Sequence, residues 1–327
     1  MRNLVKFSLV LVVIVIVLGS YTRLTDAGLG CPDWPGCYGT LTVPKSEEQI
    51  SRAVELWPDA PIEYNKAWNE MIHRYAAGLL GLTILAIAIW SLVRVRKHPE
   101  QPVKLPLLLV ILVTFQALLG MWTVTKNLQP LIVMGHLLGG FTTFSLLALL
   151  HLRLKRIHLP MGDPQVRKIA GLAFIALLAV IGQIALGGWV AANYAAMACT
   201  QLPICEVDWV SKLDIAGAFS VPAAETYQYG AHDYDERVTM HVAHRIGAIV
   251  VTVIVGLLLF SGYRKARSAV IRTSLHWISL LLVVQLLLGL ANVVFLLPLG
   301  VAVAHNLFGA LLLVSLVALN YKIARNA

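Results

Sequence analysis

Two short stretches bring chemically capable residues into apolar surroundings. Asn69-Glu70-Met71-Ile72-His73-Arg74 and Met240-His241-Val242-Ala243-His244-Arg245 each start a long apolar run with a His-Arg pair. Apolar runs also follow His136 and His305. An imidazole in a membrane-length segment is costly and marks function by default. A lone one is best explained by a hydrogen bond between helices. Four at matching places in one chain point instead to metal ligation, for which a neutral imidazole is the commonest side chain.

The elements that position them are membrane spans. The chain of 327 residues is 58% hydrophobic and 13% charged, with a mean hydropathy of +0.75. Soluble domains carry about 25% charged residues, so a polytopic, all-α membrane protein is expected. Apolar runs of spanning length fall at roughly 4–22, 69–93, 104–125, 131–152, 169–192, 238–261, 271–294 and 299–321. Arg2 and Lys6 give the first run the look of a signal peptide. Gly19-Ser20-Tyr21 lacks the small-x-small cleavage pattern, so it is taken as a retained helix.

The net charge of +9 is sorted by loop rather than gathered for nucleic acid. Arg94, Arg96, Lys97, Arg153, Lys155, Arg156, Arg264, Lys265 and Arg267 fall on one side, where the acids are Glu100 and Asp163. The positive-inside rule places both termini in the cytoplasm and the acidic loops 23–68 and 193–237 outside. All four cysteines lie in those outer loops, Cys31 with Cys37 and Cys199 with Cys205. In an oxidising compartment each pair is either a loop staple or a redox-active couple.

The chain repeats itself. His73 recurs as His244, His136 as His305 and Cys31 as Cys199, all at nearly the same interval. Gly19 and Gly187 precede their first cysteines by equal stretches, and Gln116-Ala-Leu-Leu-Gly120 returns as Gln285-Leu-Leu-Leu-Gly289. Four spans per unit make the copies parallel repeats, two four-helix bundles at 1–152 and 169–327. A basic linker, 153–168, holds His158, Pro160, Gly162 and Pro164. The first outer loop is expected to be an ordered cap followed by a looser excursion, and Asp233-Tyr-Asp-Glu-Arg237 a solvated surface.

The second, fourth, sixth and eighth spans run inward, so all four histidines sit within about 10 Å of the outer interface at 1.5 Å per residue. Two imidazoles facing across a bundle can be both axial ligands of a haem. Gly140 and Gly309, one turn beyond His136 and His305, leave room for a porphyrin, and Arg74 and Arg245 could pair with propionates. Zinc fits less well, because two ligands do not close a tetrahedral site. Glu70 aligns with His241 and shares a helical face with His73. It is a candidate for moving protons beside the first pair, with capping of the helix start as the alternative. His98, His151 and His158 are expected to be solvated, His276 to anchor an interface beside Trp277, and Gln116 and Gln285 to bond between helices.

The whole chain resembles the haem A synthase family. The resemblance rests above all on Arg23-Leu-Thr-Asp-Ala-Gly-Leu-Gly-Cys-Pro-Asp-Trp-Pro-Gly-Cys37 and Glu70-Met-Ile-His-Arg74. The Cys-Pro-Asp-Trp-Pro form is similar to bacterial members rather than mitochondrial ones. The resemblance implies oxidation of the C8 methyl of haem O, through an alcohol, to the formyl group of haem A for cytochrome oxidase. It implies a bacterial inner membrane, a resident haem b on His244 and His305, and substrate haem O between His73 and His136. It also implies Glu70 as the catalytic acid and Cys31–Cys37 as a redox-coupled pair. The implied partners are haem O, the enzyme that makes haem O and the cytochrome oxidase assembly system. The electron donor and a homo-oligomeric state are left open. The competing reading from the residues is a bis-histidine di-haem cytochrome b that carries electrons from quinol and modifies nothing. A haem carrier without chemistry is the third.

Overall fold

The computed structural model describes residues 1–155 and 163–326. Arg156, His158, Pro160 and Gly162 of the expected linker lie outside the described residues. The architecture is all α, and among the described residues there is no strand beyond one isolated bridge between Cys37 and Thr40. In order, the α-helices are α1 (Arg2–Leu24), α2 (Glu47–Leu56), α3 (Tyr64–Val95), α4 (Lys104–Thr125), α5 (Pro130–Lys155), α6 (Ala170–Ala192), α7 (Ile215–Ala218), α8 (Tyr234–Lys265), α9 (Ala269–Val294) and α10 (Leu299–Asn326). Eight of them, all but α2 and α7, are long and apolar enough to cross a membrane; a 3₁₀ turn from Pro164 leads into the fifth. Helices answer the bilayer's demand that every backbone polar group be satisfied within its own segment.

Packing divides the helices into neighbours. α1 lies against α3, α4 against α5, α6 against α8 and α9 against α10. α1, α5, α6 and α10 also pack on one another, which makes them the centre. Their buried faces carry Val12, Leu147, Leu150, Ala173, Ala176, Leu316 and Leu319, while Leu82, Ile111, Val253 and Leu287 point outward from the peripheral helices. Such outward apolar surface suits lipid rather than water. On the opposite side from the cysteine loops, the buried Asp163 accepts hydrogen bonds from the backbone N–H of Arg267 (2.8 Å) and Ser268 (2.9 Å). Asp163 thus caps the α8–α9 turn.

Three local expectations need correction. α3 and α8 begin at Tyr64 and Tyr234, ahead of the expected 69 and 238, because polar residues extend both helices past the apolar run. Asp233-Tyr-Asp-Glu-Arg237 is not simply a solvated surface. Asp233 and Glu236 form a capping box that starts α8, and Glu236 also bonds His232 (2.8 Å). Finally, the looser part of the first loop contains α2, started by a Ser46–Gln49 capping box.

Candidate functional site

Each of the four histidines lies edge-on against a glycine of the neighbouring helix. His73 of α3 meets Gly19 of α1, His136 of α5 meets Gly120 of α4, His244 of α8 meets Gly187 of α6, and His305 of α10 meets Gly289 of α9. A Cβ placed on Gly19 or Gly187 would stand 2.9 Å from the ring carbon Cε1, and one on Gly289 would stand 3.2 Å from it. Any larger residue would push the ring from its seat. The neighbouring Gly188 faces Met134 and Leu137 of α5, the latter adjoining His136.

Between α3 and α5 the His73 and His136 ring centroids are 6.4 Å apart, with the rings at 84° to each other. Two nitrogen–metal bonds of about 2 Å each, plus roughly 1 Å from each nitrogen to its ring centre, give about 6 Å. The spacing therefore fits an iron held from both sides. Nδ1 of His73, His136 and His305 is enclosed and has no hydrogen-bond partner among the described residues. Gly140 faces open space. These observations fit a haem between paired imidazoles better than they fit a closed network of hydrogen bonds.

Glu70 and Arg74 are bound up with the first outer loop. Glu70 Oε2 accepts the backbone N–H of Cys31 (2.9 Å), and Oε1 is ion-paired with Arg74. The same guanidinium donates to the carbonyls of Asp33 (3.0 Å), Pro35 and Gly36. Glu70 is buried well inside α3, so it does not cap that helix, whose N-cap is Glu63. Nor does it stand free beside His73, as its spacing suggested, because both oxygens are held by the loop and Arg74. The loop is itself tight. Asp33 accepts from Tyr38 N (2.6 Å) and Gly39 N (2.8 Å), where both residues have left-handed backbone and glycine relieves the second position. Burial pushes the Tyr38 phenol above its ordinary pKa.

The second pair has different neighbours. His241, aligned with Glu70, is buried and meets the Ala195 carbonyl through Nδ1 (3.0 Å). Arg245, like Arg74, holds its loop, donating to the carbonyls of Gln201, Ile204 (2.7 Å) and Cys199 (2.7 Å). Its Nε is enclosed and has no hydrogen-bond partner among the described residues. The Gln183 amide nitrogen lies 3.0 Å from His244 Nδ1 and 2.9 Å from the His244 carbonyl. Gln285 Nε2 lies 3.3 Å from His305 Nε2. Gln116 instead nests against Gly139, where the second copy has Phe308, and its amide nitrogen is unpartnered. Gln183 was overlooked in the sequence, although a lone amide in an apolar run is a signal of function.

Both cysteine pairs are disulfides, Cys31–Cys37 and Cys199–Cys205. Cys31 and Cys37 are fully buried and Cys199 nearly so, which favours the staple over an exchanging couple, since thiol exchange needs access. Glu206 comes within ligand distance of the second pair, but those sulfurs are bonded to each other. Its carboxyl is held below the ordinary pKa by the Thr200 backbone N–H (3.0 Å). The remaining histidines stay apart from these pairs: His98 is near Glu100, and His276 bonds the Tyr263 hydroxyl (2.7 Å).

The family model COX15-CtaA, described as cytochrome oxidase assembly protein, matches residues 2–317. A protein of Shewanella oneidensis described as heme A synthase is 51% identical over 320 residues, covering 97% of this chain and 95% of that protein. Heme A synthases of Shouchella clausii and a Jannaschia species are 25% and 28% identical, covering 81% and 92% of this chain and 77% and 82% of their own lengths.

Proposed function

We propose that this chain, which belongs to the COX15-CtaA family of cytochrome oxidase assembly proteins, is a haem A synthase. It is a membrane oxidoreductase that converts haem O to haem A by oxidising the C8 methyl, through a hydroxymethyl group, to a formyl group. In balance, the methyl group and one water give the formyl group, four protons and four electrons in two two-electron stages, and the electrons pass to an external acceptor. The observation that carries the site assignment is a pair of opposed imidazoles 6.4 Å apart, with Glu70 one turn of helix away from His73.

In this reading the chain is two parallel repeats, 1–152 and 169–327, joined by the linker 153–168. The same helix pairings support it, as do glycine seats that recur at nearly one interval (Gly19 to Gly187, Gly120 to Gly289). Left-handed helix ends spaced alike (Asp26 and Tyr194, Leu128 and Leu297) support it too. The charge sorting puts both termini in the cytoplasm of a bacterial inner membrane and the histidines near the outer face.

His73 and His136 take the substrate, haem O. His244 and His305 hold haem b, which supplies one-electron redox chemistry when bound. Glu70 receives and passes on protons released at the methyl carbon, while Arg74 holds its carboxylate in place. Arg74 and Arg245 lie beside the ligand histidines at the interface where propionates would emerge, and the unpartnered Nε of Arg245 is a donor ready for one.

The test is to extract and identify pigments from the purified protein, made in cells that supply haem O. Haem A or its alcohol precursor is expected in wild type, with unmodified haem O accumulating in Glu70→Gln, which keeps an acceptor for Cys31 N–H but loses the charge. Two unmodified haems b per chain in both proteins would favour the electron-transfer cytochrome instead. A Gly187→Ala variant is expected to retain haem b on the order of tenfold less firmly, since its methyl group displaces the His244 ring. Unchanged haem content in that variant would refute the seat.

A further inference from the structure

We infer that Gln183 is the positioning residue that makes the second histidine pair a permanent haem seat, and that Val15, which stands in its place in the first copy, leaves that seat exchangeable. The inference rests on the proposal above that His244 and His305 hold haem b while His73 and His136 hold the substrate.

The two seats share their glycines but not this contact. Gln183 precedes Gly187 by one helical turn, as Val15 precedes Gly19. Gln183 reaches His244 at Nδ1, the ring nitrogen that remains when Nε2 binds iron. His73 Nδ1 has no hydrogen-bond partner among the described residues. The opposite helix differs in step. Gly247 faces Gln183, and a Cβ there would collide with the amide oxygen. Ala76 follows His73 by the same stretch that separates Gly247 from His244, and so holds the corresponding place in the first copy. A larger polar side chain on α6 is thus matched by a smaller residue on α8.

A ligand histidine almost always has its second nitrogen held by a partner, and losing that partner typically weakens metal binding about 10- to 100-fold. With iron on Nε2 the ring proton sits on Nδ1, which then needs an acceptor. Gln183 Oε1 is enclosed and unpartnered among the described residues, and a half-turn of the amide presents it to Nδ1–H in exchange for the amide's bond to the His244 carbonyl. The bond fixes the ring's rotation and raises its basicity toward iron. The Val15 side chain can do neither; its main-chain carbonyl approaches the His73 ring but does not make a hydrogen bond of good geometry to Nδ1, so that ring is held less firmly than His244. A seat whose substrate must enter and whose product must leave has the valine, and the seat that keeps its haem through every turnover has the glutamine.

The experiment uses the full-length protein in detergent, with haem b content and reduction potential as readouts. Gln183→Met is expected to lose haem b to apomyoglobin about 10- to 100-fold faster than wild type and to raise the potential of what remains. Gln183→Glu, a stronger acceptor, is expected to retain haem b and to lower the potential. Opposite shifts from one position are not what a merely structural role would give. Val15→Gln with Ala76→Gly is expected to slow pigment loss from the first seat. Equal retention and equal potentials in wild type and both Gln183 variants would overturn the inference. His244→Ala and His305→Ala, run alongside, separate the cases: if either keeps its haem b, the underlying site assignment fails instead.

Discussion

Purified His244→Ala and His305→Ala proteins are expected to contain no firmly bound haem b, while the corresponding changes at His73 and His136 leave it in place. In the proposed site each ring is one of two axial ligands, and a single neutral imidazole does not replace both. The Ala variants also leave a ring-sized gap against Gly187 or Gly289, both on helices packed against the affected one. Helix packing is distributed over many apolar contacts in the membrane interior, so the fold should survive. Added imidazole should refill the gap and restore haem binding in part. Circular dichroism alongside the haem optical spectrum would check this. Loss of haem b from the His73 or His136 variant, but not from the His244 variant, would reverse the assignment of the two seats.

Arg74→Met is expected to abolish turnover and to destabilise the outer loop by about 3–5 kcal/mol, the usual cost of stranding one partner of a buried ion pair. Arg74 and Glu70 side chains are 12% and 6% exposed, so solvent screens the pair little. Three loop carbonyls lose their donor at the same time. Arg74→Lys should recover some stability by keeping the charge, but little activity, because an ammonium cannot fork between a carboxylate and a turn of backbone. Proteolysis of loop 25–63 and pigment analysis would report the two effects separately. A fully active Arg74→Met protein would show that Glu70 needs no cationic partner.

The spans were legible because a long apolar run has few alternatives in a membrane chain, and the histidine pairs because their spacing recurs. Even Gly19, Gly120, Gly187 and Gly289 were visible, though only as landmarks. Their role depends on how closely two helices approach, which no single run of sequence contains. The direction of Glu70 was hidden for a related reason: its partners include the Cys31 backbone N–H, and backbone donors leave no trace in residue type. Helix α2 could have been found from Ser46 and Gln49, set at the capping-box spacing ahead of Ala53. Gln183 could have been found by laying the two copies together at the glycine spacing and asking where a polar residue replaces an apolar one.

The adjacent glycines on α6 have one more consequence. Gly187 supports His244, and Gly188 faces Leu137, which follows His136 in α5. These two glycines thus set α6 between a ring of one pair and the residue next to a ring of the other. On the proposed assignment, this line of residues is a route by which electrons would pass between the two centres. A bulky residue at position 188 would press on Met134 and Leu137 and so disturb that route. Flash-reduction kinetics on Gly188→Leu should show slower transfer between the haems at unchanged haem content; transfer at the wild-type rate would place the route elsewhere.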